Sequence, residues 1–129
     1  RVVSINLRKG NTEKIDFPPV PSVVFTLPQL AAIGLTEAEA KEQGYDIVVE
    51  HKNVPHWFNA KQIGEEIYAY KTIVDKKRNL ILGAHICGAH ADEMINLFVL
   101  AMCGKLKVED LKQMVFAYPT WGNDIKGMV

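Results

Sequence analysis

Apolar residues along the chain change spacing several times, and each change marks an element. Ser22-Val23-Val24-Phe25-Thr26 is β-branched and aromatic and is closed by Pro28, as a short strand is. Thr36-Glu37-Ala38-Glu39 reads as a capping box, in which the Thr36 hydroxyl takes the Glu39 amide and the Glu39 carboxylate reaches back. Leu35 stands before that cap and Gly44 offers a left-handed stop, so the spacing predicts a helix between them with its charges facing water. Asp46 to Val54 reads as a strand with Ile47 and Val49 on one face, followed by a loop through Pro55, His56, Trp57 and Phe58. Tyr68, Tyr70, Thr72 and Val74 share one face of a second strand, and Leu80, Leu82, Ala84 and Ile86 one face of a third. The polar Lys76-Lys77-Arg78-Asn79 between them predicts an antiparallel hairpin.

Ala91 to Cys103 predicts a helix with Asp92 and Glu93 in its first turn, where the helix dipole favours negative charge. After Asn96 every residue to Cys103 is apolar or cysteine, so the pattern predicts burial on both sides. A domain this small has little room for that, and the spare face is expected to meet another subunit or domain. Leu97, Phe98, Leu100 and Ala101 are the candidates for core and interface, with a two-fold contact as the default. Lys105 to Val115 predicts a last amphipathic helix carrying Val108, Leu111, Met114 and Val115. The order β-α-β-β-β-α-α argues for an α+β domain, an antiparallel sheet with helices packed against it.

Composition narrows the class. The 129 residues are 48% apolar and 23% charged, enough for one soluble core. Fifteen basic and fifteen acidic residues cancel, leaving no electrostatic footprint for nucleic acid or an anionic membrane. The longest apolar run, near residues 97–103, falls far short of the ~20 residues that span a bilayer. No signal peptide is visible, and two cysteines, Cys87 and Cys103, lack the density of a disulfide scaffold, which favours a reducing, cytoplasmic home. Because the chain starts at Arg1 rather than methionine, it is expected to be a piece of something longer. Val2, Val3, Ile5 and Leu7 before Gly10 read as the end of a helix, and Asn11 to Pro21, with Pro18 and Pro19, reads as a linker.

Few residues suggest chemistry. In Phe116-Ala117-Tyr118-Pro119-Thr120-Trp121-Gly122-Asn123-Asp124 the proline permits a cis bond after Tyr118 at modest cost. Such a turn would present Tyr118, Trp121 and Asn123 as a fixed cluster; the alternative is a tail whose aromatics cover a core. His85, Cys87 and His90 are soft ligands close in sequence, but three ligands beside an apolar strand fall short of a closed zinc site, and no metal is expected. Asp92 and Glu93 fit solvated first-turn acids better than an acid–base pair. His51 and His56 read as surface residues. The chain lacks G-x-S-x-G, P-loop and G-x-G-x-x-G patterns.

Several stretches together resemble one family, the C-terminal dimerisation domain of flavin-dependent pyridine nucleotide–disulfide oxidoreductases (glutathione reductase, dihydrolipoamide dehydrogenase, mercuric reductase). They are Pro21 to Thr26 with Pro28, Ile33 to Ala40, Ile81 to Gly88, Ala91 to Ile95, Val108 to Leu111, and the Tyr118-Pro119-Thr120 turn. Trp57-Phe58 and Ile63-Gly64-Glu65 resemble a glutathione-reductase-like bacterial branch. The resemblance covers residues 21–129 as the interface domain and makes 1–20 the tail of a preceding flavin domain and linker. It implies a homodimer in which this domain closes the partner's active site. FAD and NAD(P)H would then be held by upstream domains of the parent, with neither bound by this fragment. Pro119 and Thr120 would lie near the partner's flavin.

The resemblance also exposes a departure. Well-known members carry a histidine before the proline and a glutamate five residues later; Tyr118 and Asn123 stand at those positions here. An unperturbed tyrosine titrates near pH 10, against about 6.5 for histidine, so matching it as a base would take roughly three units, about 4 kcal/mol. Asn123 is neutral and cannot support a neighbouring cation. A histidine–glutamate acid–base pair is therefore absent, and Tyr118 is expected to donate a hydrogen bond or a proton. Lys107 replaces the family's threonine cap on the last helix. Two rival readings are a stand-alone dimeric interaction module and a small metal-binding protein at His85, Cys87 and His90.

Overall fold

Tyr68, Tyr70 and Thr72 share the core face of one strand, and the fold is built on that face. The computed structural model describes all 129 residues. Its elements are α1 (Val2–Lys9), β1 (Ser22–Val24), β2 (Leu30–Gly34), α2 (Glu37–Glu42), β3 (Ile47–Asn53) and α3 (Phe58–Ile63). There follow β4 (Ala69–Asp75), β5 (Leu80–Cys87), α4 (Ala91–Cys103), α5 (Val108–Gln113) and a 3-10 segment, Trp121–Gly127. The strands form one antiparallel sheet in the order β1-β2-β5-β4-β3. The α+β class and the β4–β5 hairpin are as the spacing predicts.

α4 packs across β2 and β5 through Ala91, Met94, Ile95, Phe98 and Ala101, all buried. Ala31, Ile33, Ile81, Ala84 and Ile86 of β2 and β5 share one core cluster with these residues, which Tyr68 and Tyr70 extend. The opposite sheet face is partly roofed by α2. Its capping box is formed, with Glu39 Oε2 taking the Thr36 amide at 2.8 Å, and Ala40 is fully buried. Glu37 of α2 bridges to Lys71 of β4 at 2.5 Å and to Lys41 at 2.6 Å, so its charge pins the helix to the sheet as well as facing water. Beside α2 the same face stays open as a hollow of about 270 Å³, lined among others by Val24, Leu30, His51, His85 and Cys87.

Four expectations change. The register passes from Val74 opposite Ile81 to Ile73 opposite Gly83, so Leu82 has no partner of its own. That bulge moves Leu80 and Leu82 off the core face, which Ile81, Ala84 and Ile86 occupy instead. β2, an alanine-rich stretch of weak intrinsic strand preference, is made a strand by pairing on both sides with β1 and β5. Phe58 opens helix α3 rather than ending a loop; no side chain caps that helix's start, so the sequence carries no cue for it. The last helix is shorter than Lys105–Val115. It starts at Val108 after Lys105 in a left-handed conformation, and Met114 leaves it in an extended one.

Two glycines allow β2 and β5 to approach. A methyl group on Gly83 would stand 2.0 Å from the Leu35 carbonyl oxygen, and one on Gly34 would stand 2.2 Å from that of Leu82. Gly34 also needs φ +74°.

Candidate functional site

The segment that carries the turn is tied to the core on both sides. Before it, Phe116 is half-buried against the core cluster; after it, Trp121 packs on the cluster and Ile125 is buried. The Thr120 hydroxyl closes the turn, donating to the Ala117 carbonyl at 2.6 Å and accepting the Asn123 amide at 3.2 Å. Two peptide bonds are cis, Tyr118–Pro119 as the sequence suggests and Leu27–Pro28, which it did not single out.

Within this frame the three expected cluster members separate. Trp121 turns inward, edge-on to Tyr68 at 5.2 Å and against His90 at 5.0 Å. Tyr118 points outward, 70% exposed, and its one aromatic neighbour is Phe58 of α3 at 5.8 Å. Asn123 lines a shallow polar hollow with Trp57, Asp124, Lys126 and Gly127 and makes no hydrogen bond to Tyr118. Pro119 and Thr120 are exposed beside Tyr118. The turn therefore offers an exposed phenol and no carboxylate bonded to it. Such a group can donate a hydrogen bond outward and cannot relay a proton to an acid in its own chain.

What holds the segment down is a row of hydroxyls on β4 and on Tyr68 just before it. Tyr68 donates to Asp124 Oδ2 at 3.2 Å, Tyr70 to the Gly127 carbonyl at 2.8 Å and Thr72 to the Met128 carbonyl at 2.6 Å. Burial pushes the Asp124 carboxyl above its ordinary value, with hydrogen bonds from Asn59 and Tyr68 opposing it. Burial, and then the Asp124 charge, pushes the Tyr68 phenol up, so Tyr68 is held as a donor. Tyr68, Asn59 and Asp124 were not among the residues expected to matter. The available cue was that three hydroxyl-bearing side chains at alternate positions of a buried face must each find an acceptor.

The remaining candidates divide. Phe98 and Ala101 lie in the core, Leu97 is partly covered, and Leu100 is 67% exposed. With Glu93, Asn96 and Cys103, Leu100 forms the outward stripe of α4, so this helix is not buried on both sides within the chain. His85 and Cys87 sit together on the open sheet face, but His90 lies at the start of α4 against Trp121, and nowhere do three such ligands converge. Both thiols are free, and burial pushes that of Cys87 up. Lys107 offers no acceptor, so α5 keeps only half a capping box, the Asp110 carboxylate taking the Lys107 amide at 2.9 Å. No helix is long and apolar enough to cross a membrane.

Residues 20–129 match the family described as "Pyridine nucleotide-disulphide oxidoreductase, dimerisation domain". The chain belongs to this family. Among its relatives is the "Uncharacterized 19.7 kDa protein in mercuric resistance operon" of Staphylococcus aureus, 44% identical over 99% of this chain and 71% of that protein. Dihydrolipoyl dehydrogenase of Bacillus subtilis is 39% identical over 88% of this dimerisation-domain chain and 24% of its own length. The fold matches the HOCl-induced flavoprotein disulfide reductase RclA of Escherichia coli, with a TM-score of 0.85 and 29% identity. That match covers 98% of this chain and 29% of RclA, so the chain spans about a quarter of the large oxidoreductases it resembles.

Members of the family depend on FAD and NAD(P). The residues of this chain do not fit a dinucleotide pyrophosphate. α2, α4 and α5 begin with acids of their own, Glu37 and Glu39, Asp92 and Glu93, Glu109 and Asp110, and the 3-10 segment carries Asp124. Carboxylates thus stand at three of the helix N-termini, where they disfavour a phosphate; α3 starts without one, but Val54-Pro55-His56-Trp57 before it holds no glycine turn to cradle a pyrophosphate.

Proposed function

We propose that residues 21–129 serve as the interface domain of an FAD- and NAD(P)H-dependent oxidoreductase, with residues 1–20 as the tail of its flavin domain. Two copies pair through the outward stripe of α4 around Leu100, forming a homodimer, and each delivers its Tyr118–Pro119 turn to the partner's active site. The observation that carries this reading is a turn anchored at both ends whose phenol is exposed and has no polar partner in its own chain. Tyr118 donates a hydrogen bond there and is not a base, because Asn123 supplies no charge to assist it. The fragment alone is inactive, since it lacks both a fit for the flavin and a redox cysteine pair. In the flavin-containing parent, Tyr118→Phe should keep most turnover and leave no pH–rate limb between about pH 6 and 8 from this turn. A loss of ~10²–10⁴-fold with an intact dimer, as expected for removing a general acid or base, would refute the assignment.

A second reading, a stand-alone dimeric module, is favoured by the Staphylococcus aureus relative. At 19.7 kDa, with 71% matched by this chain, it has too little remaining length for a dinucleotide-binding domain. An antibody against residues 21–129 separates the two. The enzyme reading requires a cellular species several times the 14.5 kDa of this chain, and the module reading one close to it.

A further inference from the structure

The three hydroxyl contacts from Tyr68 and β4 to the C-terminal segment differ in kind. Tyr70 and Thr72 donate to backbone carbonyls, which any residue supplies, so sliding the segment by one residue would offer them the same chemistry. Tyr68 donates to a side chain, the Asp124 carboxyl, which only one register provides. Gly127 is a second such key. A methyl group there would stand 2.8 Å from the Trp57 ring, so a slip would bring Lys126 or Met128 against that ring. Trp121, edge-on to the same Tyr68, follows the register that results. These contacts lie directly after the turn, with no flexible stretch between Asn123 and Asp124.

We infer that Asp124, acting through Tyr68, is the positioning residue of the Tyr118–Asn123 turn: it selects the register in which the 3-10 segment lies on β4 and so sets where the turn projects. Packing alone does not require a carboxyl at this place, since the neighbouring anchors Ile125 and Met128 are apolar and buried. The Tyr68 side chain has no exposed surface and would otherwise leave its hydroxyl unpartnered, so the phenol needs the carboxyl, which Asn59 helps to hold.

The inference rests on the proposed role of the turn only for its consequence in a parent enzyme. Amide exchange in the 129-residue chain reads the turn's placement whether or not that turn reaches a partner. The probes are the Asn123 amide, bonded to the Thr120 carbonyl at 3.1 Å, and the Met128 amide, bonded to that of Ile125 at 3.1 Å, with β4–β5 amides as the control. Tyr68→Phe and Asp124→Ala should speed both probes roughly tenfold, the factor for losing one charge-assisted hydrogen bond, while leaving the control amides within about twofold. Asp124→Asn, which keeps an acceptor oxygen, should restore slow exchange. Unchanged probes in the Phe and Ala variants would overturn the inference. So would equal acceleration of the β4–β5 amides, or an Asn variant as fast as the Ala variant.

Discussion

The ring of Tyr118 lies 5.8 Å from that of Phe58, tilted by 46°, with both residues at least half exposed. This contact joins the cis-proline turn to α3 and is the one aromatic contact Tyr118 makes. Removing its hydroxyl should therefore leave the fold intact, with Tyr118→Phe within about 0.5 kcal/mol of the parent in urea unfolding. The ring should matter more. A double-mutant cycle of Tyr118→Ala and Phe58→Ala should show a coupling of about 0.5–1.5 kcal/mol, and additive effects would mean the rings are independent.

Gly83 tests the strand register. Because a methyl group there meets backbone at 2.0 Å, relief requires moving β2 away from β5 rather than rotating a side chain. Gly83→Ala should cost at least about 2–3 kcal/mol in urea unfolding. A smaller loss would show that the approach of Leu35 to β5 is not tight.

What was legible in the sequence was what rests on local rules. The capping box at Thr36 and the alternating hydroxyls of Tyr68, Tyr70 and Thr72 follow from neighbours in the chain, whereas the cis Tyr118–Pro119 bond is permitted by the proline and suggested by the resemblance. β2 and the bulge at Leu82 were not legible because pairing between distant segments decides them. The inward turn of Trp121 depends on Tyr68 and His90, neither adjacent in sequence, so Tyr118 and Trp121 could not be separated beforehand. At the site, Tyr118 and Asn123 were visible through resemblance, whereas the Tyr68–Asp124 contact joins residues 56 apart and needed the fold.

Asp124 should make stability fall with rising pH. Burial raises its folded-state pKa, so the protonated form is favoured on folding. Its contribution is fully present below the unfolded carboxylate range and is lost as pH rises through the folded value. Asp124→Asn should therefore gain melting temperature relative to the parent at neutral pH, with the difference shrinking toward pH 3–4, near the model-peptide aspartate value of about 3.9. A difference independent of pH would contradict this.

Glu37 runs the other way. Hydrogen bonds from Lys41 and then Lys71, with their charges, lower its pKa to about 2. The contribution is present above the unfolded glutamate value and lost as pH falls through about 2. Glu37→Gln should remove this part of the acid transition, and added salt should weaken it, the pair being near the surface. An acid limb identical in the Gln variant would assign it to other carboxylates.

The most direct test of the dimerisation assignment is sedimentation of the 129-residue chain over a concentration series, alongside Leu100→Glu. Leu100 is 67% exposed in the monomer, so a charge there should leave the melting temperature unchanged at concentrations where the parent is monomeric. The expected result is a concentration-dependent monomer–dimer equilibrium in the parent, with the variant's affinity weakened roughly tenfold or more by the loss of one buried leucine. A parent that sediments as a clean monomer at high micromolar concentration, or a Leu100→Glu chain that dimerises as well as the parent, would contradict pairing through α4.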